Sequence, residues 1–279
     1  MLEDRAERLE LMWLEGRRNS TQMTQIEQIY TDKNGRLMRR IVGIIVVLSF
    51  IVRGQSGEEI LKRVDRNLSS VNRVFESTMT IHGKRGTRTI KAKTYAEGEK
   101  KSFTEYLYPA GEKGTKMLKL ENQLWIYSPG TDRIIQISGH MLRQSVMGSD
   151  LSYEDMMEER KLTDIYNVRK EREEKIEERE CYVLNLTAKE EDVAYYSQRM
   201  WVDRERYVPL KQELYSKSGK LLKRVELRDV EKIEGRWFPM SVHYKDVMKE
   251  GEGTEFRMRE VKFHQRIPGH LFTKAALKI

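Results

Sequence analysis

The sequence predicts a single α+β domain: one antiparallel meander of about ten or eleven strands, a helix ahead of it, and one irregular interruption. Period-two alternation of apolar and polar residues between about 74 and 265 is the main observation. Five prolines and eighteen glycines in 279 residues suit long regular elements rather than a low-complexity array. No composition shift divides the alternating stretch, so it reads as one domain.

Composition narrows the class further. With 34% charged residues the chain is not a polytopic membrane protein, and seven Phe, thirteen Tyr and four Trp are too many for a disordered one. The excess of 52 Lys+Arg over 44 Asp+Glu, net +8, suggests an acidic partner, either nucleic acid or anionic lipid. Cys181 is the only cysteine, which excludes an internal disulfide and a Cys-based zinc site.

The N-terminal region decides the compartment. From Ile41 to Val52 run twelve uncharged residues, preceded by Met38-Arg39-Arg40 and followed by Arg53-Gly54-Gln55-Ser56. As a helix they rise about 18 Å, short of the roughly 30 Å hydrocarbon core. A basic start, a short apolar run and small residues after it describe a secretory signal peptide over 38–54, cut before Gln55. Residues 1–37 then read as an over-extended start of the gene, with Met38 the true one; a cytoplasmic tail with an uncleaved anchor is the alternative. Export argues against nucleic acid as the partner. Removing 1–54 takes nine basic and seven acidic groups and leaves 43 and 37, net +6.

The elements follow in order. Ile60, Leu61, Val64 and Leu68 make one apolar stripe of a helix over 57–69, with Glu58 and Glu59 in its first turn. Strands are expected at 74–83, 88–98 and 101–110, then in three short runs up to Ser138. A second series begins near Glu180, with hairpin turns at Ser218-Gly219 and Glu234-Gly235. In 254–263 the apolar parity slips between Met258 and Val261, which predicts a bulge. The charge-dense stretch 168–180 reads as a solvated hairpin or loop face.

The interruption is 140–160. Ser152 with Asp155 fits a capping box before a short helix over about 153–160. Ahead of it, Met141, Leu142, Val146, Met147 and Leu151 lack strand alternation. They could form a lid, since methionine adapts to varied apolar contacts, or simply plug the core.

Residues Met147-Gly148-Ser149-Asp150-Leu151-Ser152-Tyr153-Glu154-Asp155-Met156 resemble the GSDxSYEDL signature of the outer-membrane lipoprotein-sorting family, within the LolA/LolB/LppX-like superfamily. Weaker matches occur in the family's order: Leu124-Trp125-Ile126-Tyr127-Ser128-Pro129, Met200-Trp201-Val202-Asp203 with Pro209-Leu210-Lys211, Trp237-Phe238-Pro239, and 267–273. Met156 stands where the family usually has leucine. The resemblance spans about 57–279 and implies a curved antiparallel half-barrel, with helices covering its concave face and enclosing an apolar cavity. It favours a lid or cavity wall for the interruption.

It further implies a periplasmic, non-enzymatic carrier over 55–279 for an acylated lipoprotein or lipid, moving cargo toward the outer membrane. An RND-type inner-membrane exporter and transient membrane contact are the implied partners. A lipid- or lipoprotein-sensing regulator of an envelope stress response, RseB-like, is the alternative. Candidate cavity residues on strands are Leu118, Trp125, Tyr127, Trp201, Leu214, Trp237 and Phe256. From the interruption come Met141, Val146, Met147, Leu151 and Tyr153. Gly148, Ser149, Asp150, Ser152, Glu154 and Asp155 are read as structural, through a tight turn, caps and hydrogen-bond acceptors.

Catalytic and metal chemistry find little support. His82, His140, His243, His264 and His270 form no ligand spacing, and Gly111 to Lys116 lacks that of a phosphate loop. Cys181 opens a strand without a nameable base and reads as a small buried hydrophobe. No cofactor is expected.

Overall fold

Ser56 starts the first helix, α1 (Gly57–Leu68), through a complete capping box: its hydroxyl accepts from Glu59 N, and the Glu59 carboxylate accepts from Ser56 N. The computed structural model describes residues 55–279 apart from 70, 71 and 159. The leader and signal-peptide readings therefore lie outside the described residues.

Among the described residues, thirteen strands make one antiparallel sheet. They are β1 (Asn72–Gly83), β2 (Gly86–Glu97), β3 (Lys101–Tyr108), β4 (Lys116–Leu120), β5 (Gln123–Ser128) and β6 (Arg133–Ile137). After the interruption come β7 (Tyr166–Ile176), β8 (Arg179–Ala188), β9 (Ser197–Asp203) and β10 (Pro209–Tyr215). Then follow β11 (Leu221–Ile233), β12 (Arg236–Asp246) and β13 (Gly253–Phe263). The spatial order runs β6 to β1, then β13 down to β7, so two meanders join where the first strand meets the last.

The strand count exceeds the expected ten or eleven partly because 166–176 is a full strand, paired with β8 from Tyr166–Ala188 to Ile176–Arg179. Its charges hid it: Arg172 pairs with Glu171 and Glu174, and Lys170 with Glu173. As an edge strand it needs only one partner, and its charges discourage a second chain from pairing there.

The hairpin turn at Glu234 and Gly235 forms as the residues indicated, with φ of 48° and 87°, the left-handed pair of a two-residue turn, while Ser218-Gly219 lies in a longer loop between Tyr215 and Leu221. The expected slip in β13 is a bulge. Val74 faces Lys262 but Glu76 faces Arg259, and Glu260 takes a φ of 51°.

Two segments pack against one face of the sheet. Paired residues share a face, so the row Leu184, Met200, Gln212, Val225, Tyr244 carries that face from β8 to β12. Over β7–β9, α1 seats Ile60, Leu61 and Val64 against Tyr182, Leu184, Leu186 and Met200. Burying each such side chain contributes about 1.5–3 kcal/mol. Over β1–β6 the interruption packs Leu142, Met147 and Leu151 against Met79, Ile90 and Met117. The opposite face is covered in part by residues 267–277, which pack on Phe103, Leu118 and Trp125. Cys181 lies on that face with Val183 and Trp201, and burial first, then Asp203, pushes its thiol up to about 11.

Candidate ligand cavity and the segment that crosses it

Because β6 and β7 are opposite edges of the sheet, residues 138–165 have to traverse it. Two short helices lie on this route, α2 (Tyr153–Met157) and α3 (Leu162–Ile165). Acidic side chains fasten it at successive points.

The first fastening is Asp150. Met147 and Gly148 take φ of 52° and 75°, a double left-handed turn that suits glycine at the second position. Ser149 Oγ accepts from Leu151 N at 3.2 Å. Asp150 then accepts from Thr254 Oγ1 at 2.8 Å and from Asp246 N at 2.9 Å, which ties the turn to β12 and β13. Lys249 donates to Ser149 O and Ser145 Oγ, and burial above all lowers the pKa of its ammonium.

The second is Asp155, at the third position of α2. It accepts from Ser152 N at 2.6 Å, from Ser152 Oγ at 2.9 Å and from Tyr195 OH at 2.6 Å, and pairs with Lys223 of β11. Burial first, and then Asp155, pushes the Tyr195 phenol far above its ordinary range. The helix is shorter than the expected 153–160: Glu158 is already extended, with φ −80° and ψ 105°. The third fastening comes from α1, where the buried Asp65 accepts from Leu162 N at 2.8 Å, Thr163 N at 3.0 Å and Thr163 Oγ1 at 2.7 Å. Glu154 differs from these residues: its carboxylate has no hydrogen bond among the described residues, and burial first raises its pKa while Arg143 opposes.

Between the crossing segment, α1 and the sheet lies a cavity of about 380 Å³ with mostly apolar walls. Such a volume is within the usual range for small-molecule sites. It exists because of what the floor is made of. Ser77 on β1, Ala92 and Thr94 on β2, and Ser102 and Thr104 on β3 are small, so no side chain fills the space that Leu184 and Met200 fill under α1. Met79, Ile90, Met117, Phe256 and Met258 form apolar wall, and Val146 and Met156 enter from the crossing segment.

The expected lining residues divide among several places. Val146 and Phe256 line the cavity. Met141, Met147, Leu151 and Tyr153 pack behind it with Met79, Ile90 and Met117, and Leu214 packs with Phe238, Val242 and Met258, which do line it. Leu118, Trp125 and Tyr127 sit on the opposite face beneath 267–277, and Lys274 Nζ lies 4.2 Å from the centre of the Trp125 ring. Trp201 is on that opposite face too, with Cys181 and Val183. Trp237 stacks under the Arg206 guanidinium at 5.3 Å. The floor residues Ser77, Ala92, Thr94 and Thr104 escaped the sequence reading, since being small marks no site until three strands are aligned.

A family model described as "-like: Uncharacterized protein" matches residues 98–279. The chain belongs to that family. No curated protein sequence matches it. Among solved structures, a DUF1329 family protein from Desulfovibrio piger is 25% identical, with a TM-score of 0.73 over 79% of this chain and 97% of its own. A putative outer membrane lipoprotein-sorting protein domain from Vibrio parahaemolyticus is 23% identical, with a TM-score of 0.71 over 80% and 98%. A LolA superfamily protein from Nitrosomonas europaea is 24% identical, with a TM-score of 0.67 over 80% and 100%. The resemblance first read in residues 147–156 is borne out as a fold: this family member has the architecture of the LolA superfamily. Among the described residues, no helix is long and apolar enough to cross a membrane, and no His/Cys/Asp/Glu cluster could hold a metal ion.

Proposed function

We propose that the protein is a periplasmic carrier that takes acyl chains of a lipoprotein or lipid into this cavity and delivers them toward the outer membrane. The observation that carries the reading is the mostly apolar cavity roofed by a methionine-bearing segment that the fold draws across the sheet. In this reading the sheet is bent into a half-barrel, and α1 with the crossing segment forms its cover. Each methylene moved from water into such a space contributes about 0.8 kcal/mol. An acceptor that competes for the same chains releases them.

The role is one of binding rather than catalysis. Asp65, Asp150 and Asp155 are each engaged in holding the chain. Residues 38–54 would direct export, and an RND-type exporter in the inner membrane is the partner that fits such a carrier. A basic surface, net +6 over 55–279, favours transient contact with anionic headgroups, which salt weakens. The full chain, purified from a lipid-containing host and extracted under denaturing conditions, is expected to yield acyl species by mass spectrometry. A preparation that carries no lipid and takes up no fluorescent fatty acid sinks the reading.

A further inference from the structure

The cavity is lined by more than hydrocarbon. Ser77, Ser102 and Tyr106 face it with only 6%, 8% and 4% of their surface exposed. None of their hydroxyls has a hydrogen-bond partner among the described residues. Tyr244, half-buried in the same wall, is also without one.

Several tyrosines elsewhere have partners. Tyr166 donates to Tyr195 O at 3.0 Å, Tyr195 to Asp155 at 2.6 Å, and Tyr182 and Tyr207 to Gln55 at 3.2 and 3.0 Å. Within the floor itself, Thr94 and Thr104 bond each other at 3.0 Å. A buried polar group normally finds a partner, because leaving it bare costs its desolvation. The four hydroxyls open instead onto the cavity, where a ligand can supply the partner.

Their placement is ordered. Ser77 pairs in register with Ala92, and Ala92 with Tyr106, so the two hydroxyl residues share one row across β1–β3 with only a methyl group between them. Adjacent strands lie about 4.8 Å apart, which puts the two backbones roughly 10 Å apart. Burial first, then Tyr153 and Glu112, raises the Tyr106 phenol well above its ordinary range, so it keeps its proton and stays a donor. Met79, Ile90, Phe256 and Met258 surround the row with apolar surface.

We propose that the cavity selects a chain bearing a carbonyl within its length, an ester, amide or ketone, whose oxygen accepts a hydrogen bond from the Ser77 or the Tyr106 hydroxyl. This rests on the carrier reading and adds the chemical class of its ligand. A plain hydrocarbon would leave both donors bare, and a carbonyl satisfies one of them in an apolar setting where such a bond is worth most.

Competition in a single sample tests this. The full chain is incubated with phosphatidylcholine vesicles holding equal amounts of methyl myristate and pentadecane, and both are quantified in the protein fraction by mass spectrometry. The ester is expected to be enriched at least about fivefold over its vesicle ratio, the value of one net hydrogen bond. In the double variant Tyr106→Phe with Ser77→Ala, the ratio is expected to return to that of the vesicles, and far-UV circular dichroism with the urea midpoint reports the fold independently. Capture of neither probe overturns the carrier reading. Capture of both at the vesicle ratio by the unaltered chain overturns the carbonyl assignment alone. Enrichment that survives in the double variant overturns the roles of Ser77 and Tyr106.

Discussion

Lys223 of β11 donates to Asp155 of α2 with 6% and 11% of the two side chains exposed, so one buried ion pair fastens the crossing segment to the sheet. Lys223 stands at an apolar-face position of its strand, between Leu221 and Val225. It is there for Asp155.

Truncating one partner is therefore costly. Asp155→Ala leaves a buried ammonium uncompensated and the Tyr195 hydroxyl without its acceptor, at an expected cost of about 3–5 kcal/mol. Urea unfolding at neutral pH measures it. The double variant Asp155→Asn with Lys223→Met is expected to recover part of the loss, since it removes both charges. A cost below about 1 kcal/mol for Asp155→Ala contradicts a fastening role.

Asp203 gives a pH dependence of defined sign. The buried carboxylate accepts from Arg179 at 2.7 and 2.9 Å, from Glu205 N at 2.9 Å and from Arg206 N at 3.0 Å. Burial alone would raise its pKa, but the guanidinium and the two amides together outweigh this and hold it below the usual range. The unfolded chain binds its proton near pH 4, so the contribution is fully present above that value and disappears as pH falls through the lower folded one. Stability is expected to drop more steeply on acidification in the unaltered chain than in Asp203→Asn. Parallel profiles would remove Asp203 from the account.

Filling the cavity from its floor separates ligand binding from folding. Ala92 is 6% exposed and faces open space, so in Ala92→Leu the added methylenes enter the cavity rather than a closed core. Overpacking a dense interior costs about 1–3 kcal/mol; here the stability change is expected to stay within about 1 kcal/mol while fatty-acid uptake falls. Unchanged uptake in a folded Ala92→Leu variant places the binding space elsewhere.

Local signals were the legible ones. The capping box of Ser152 and Asp155, the turn at Glu234 and Gly235 and the bulge at Glu260 each depend on a few neighbouring residues, and each formed as read. The facing of each strand was not legible. Leu124 and Trp125 are 1% and 4% exposed on opposite faces, because the crossing segment covers one and residues 267–277 cover the other. With both faces covered, hydrophobicity no longer marks the inside. The floor of the cavity is a matter of register, since Ser77, Ala92 and Tyr106 come together only when three strands pair. The 166–176 strand was hidden by its charges, which an edge position tolerates.

The pairing of β1 with β13 dictates an order of assembly. Hairpins from β2 to β6 and from β7 to β12 can close as their residues become available, but Arg73 meets Phe263 only when the last strand has arrived. Until then β1 presents a bare edge in what will be the middle of the sheet, an aggregation hazard during synthesis or export. The cavity draws walls from β1 and from β13, so it comes into being at that final step. An unfinished chain has nowhere to hold a ligand, and loading has to follow the completion of the fold.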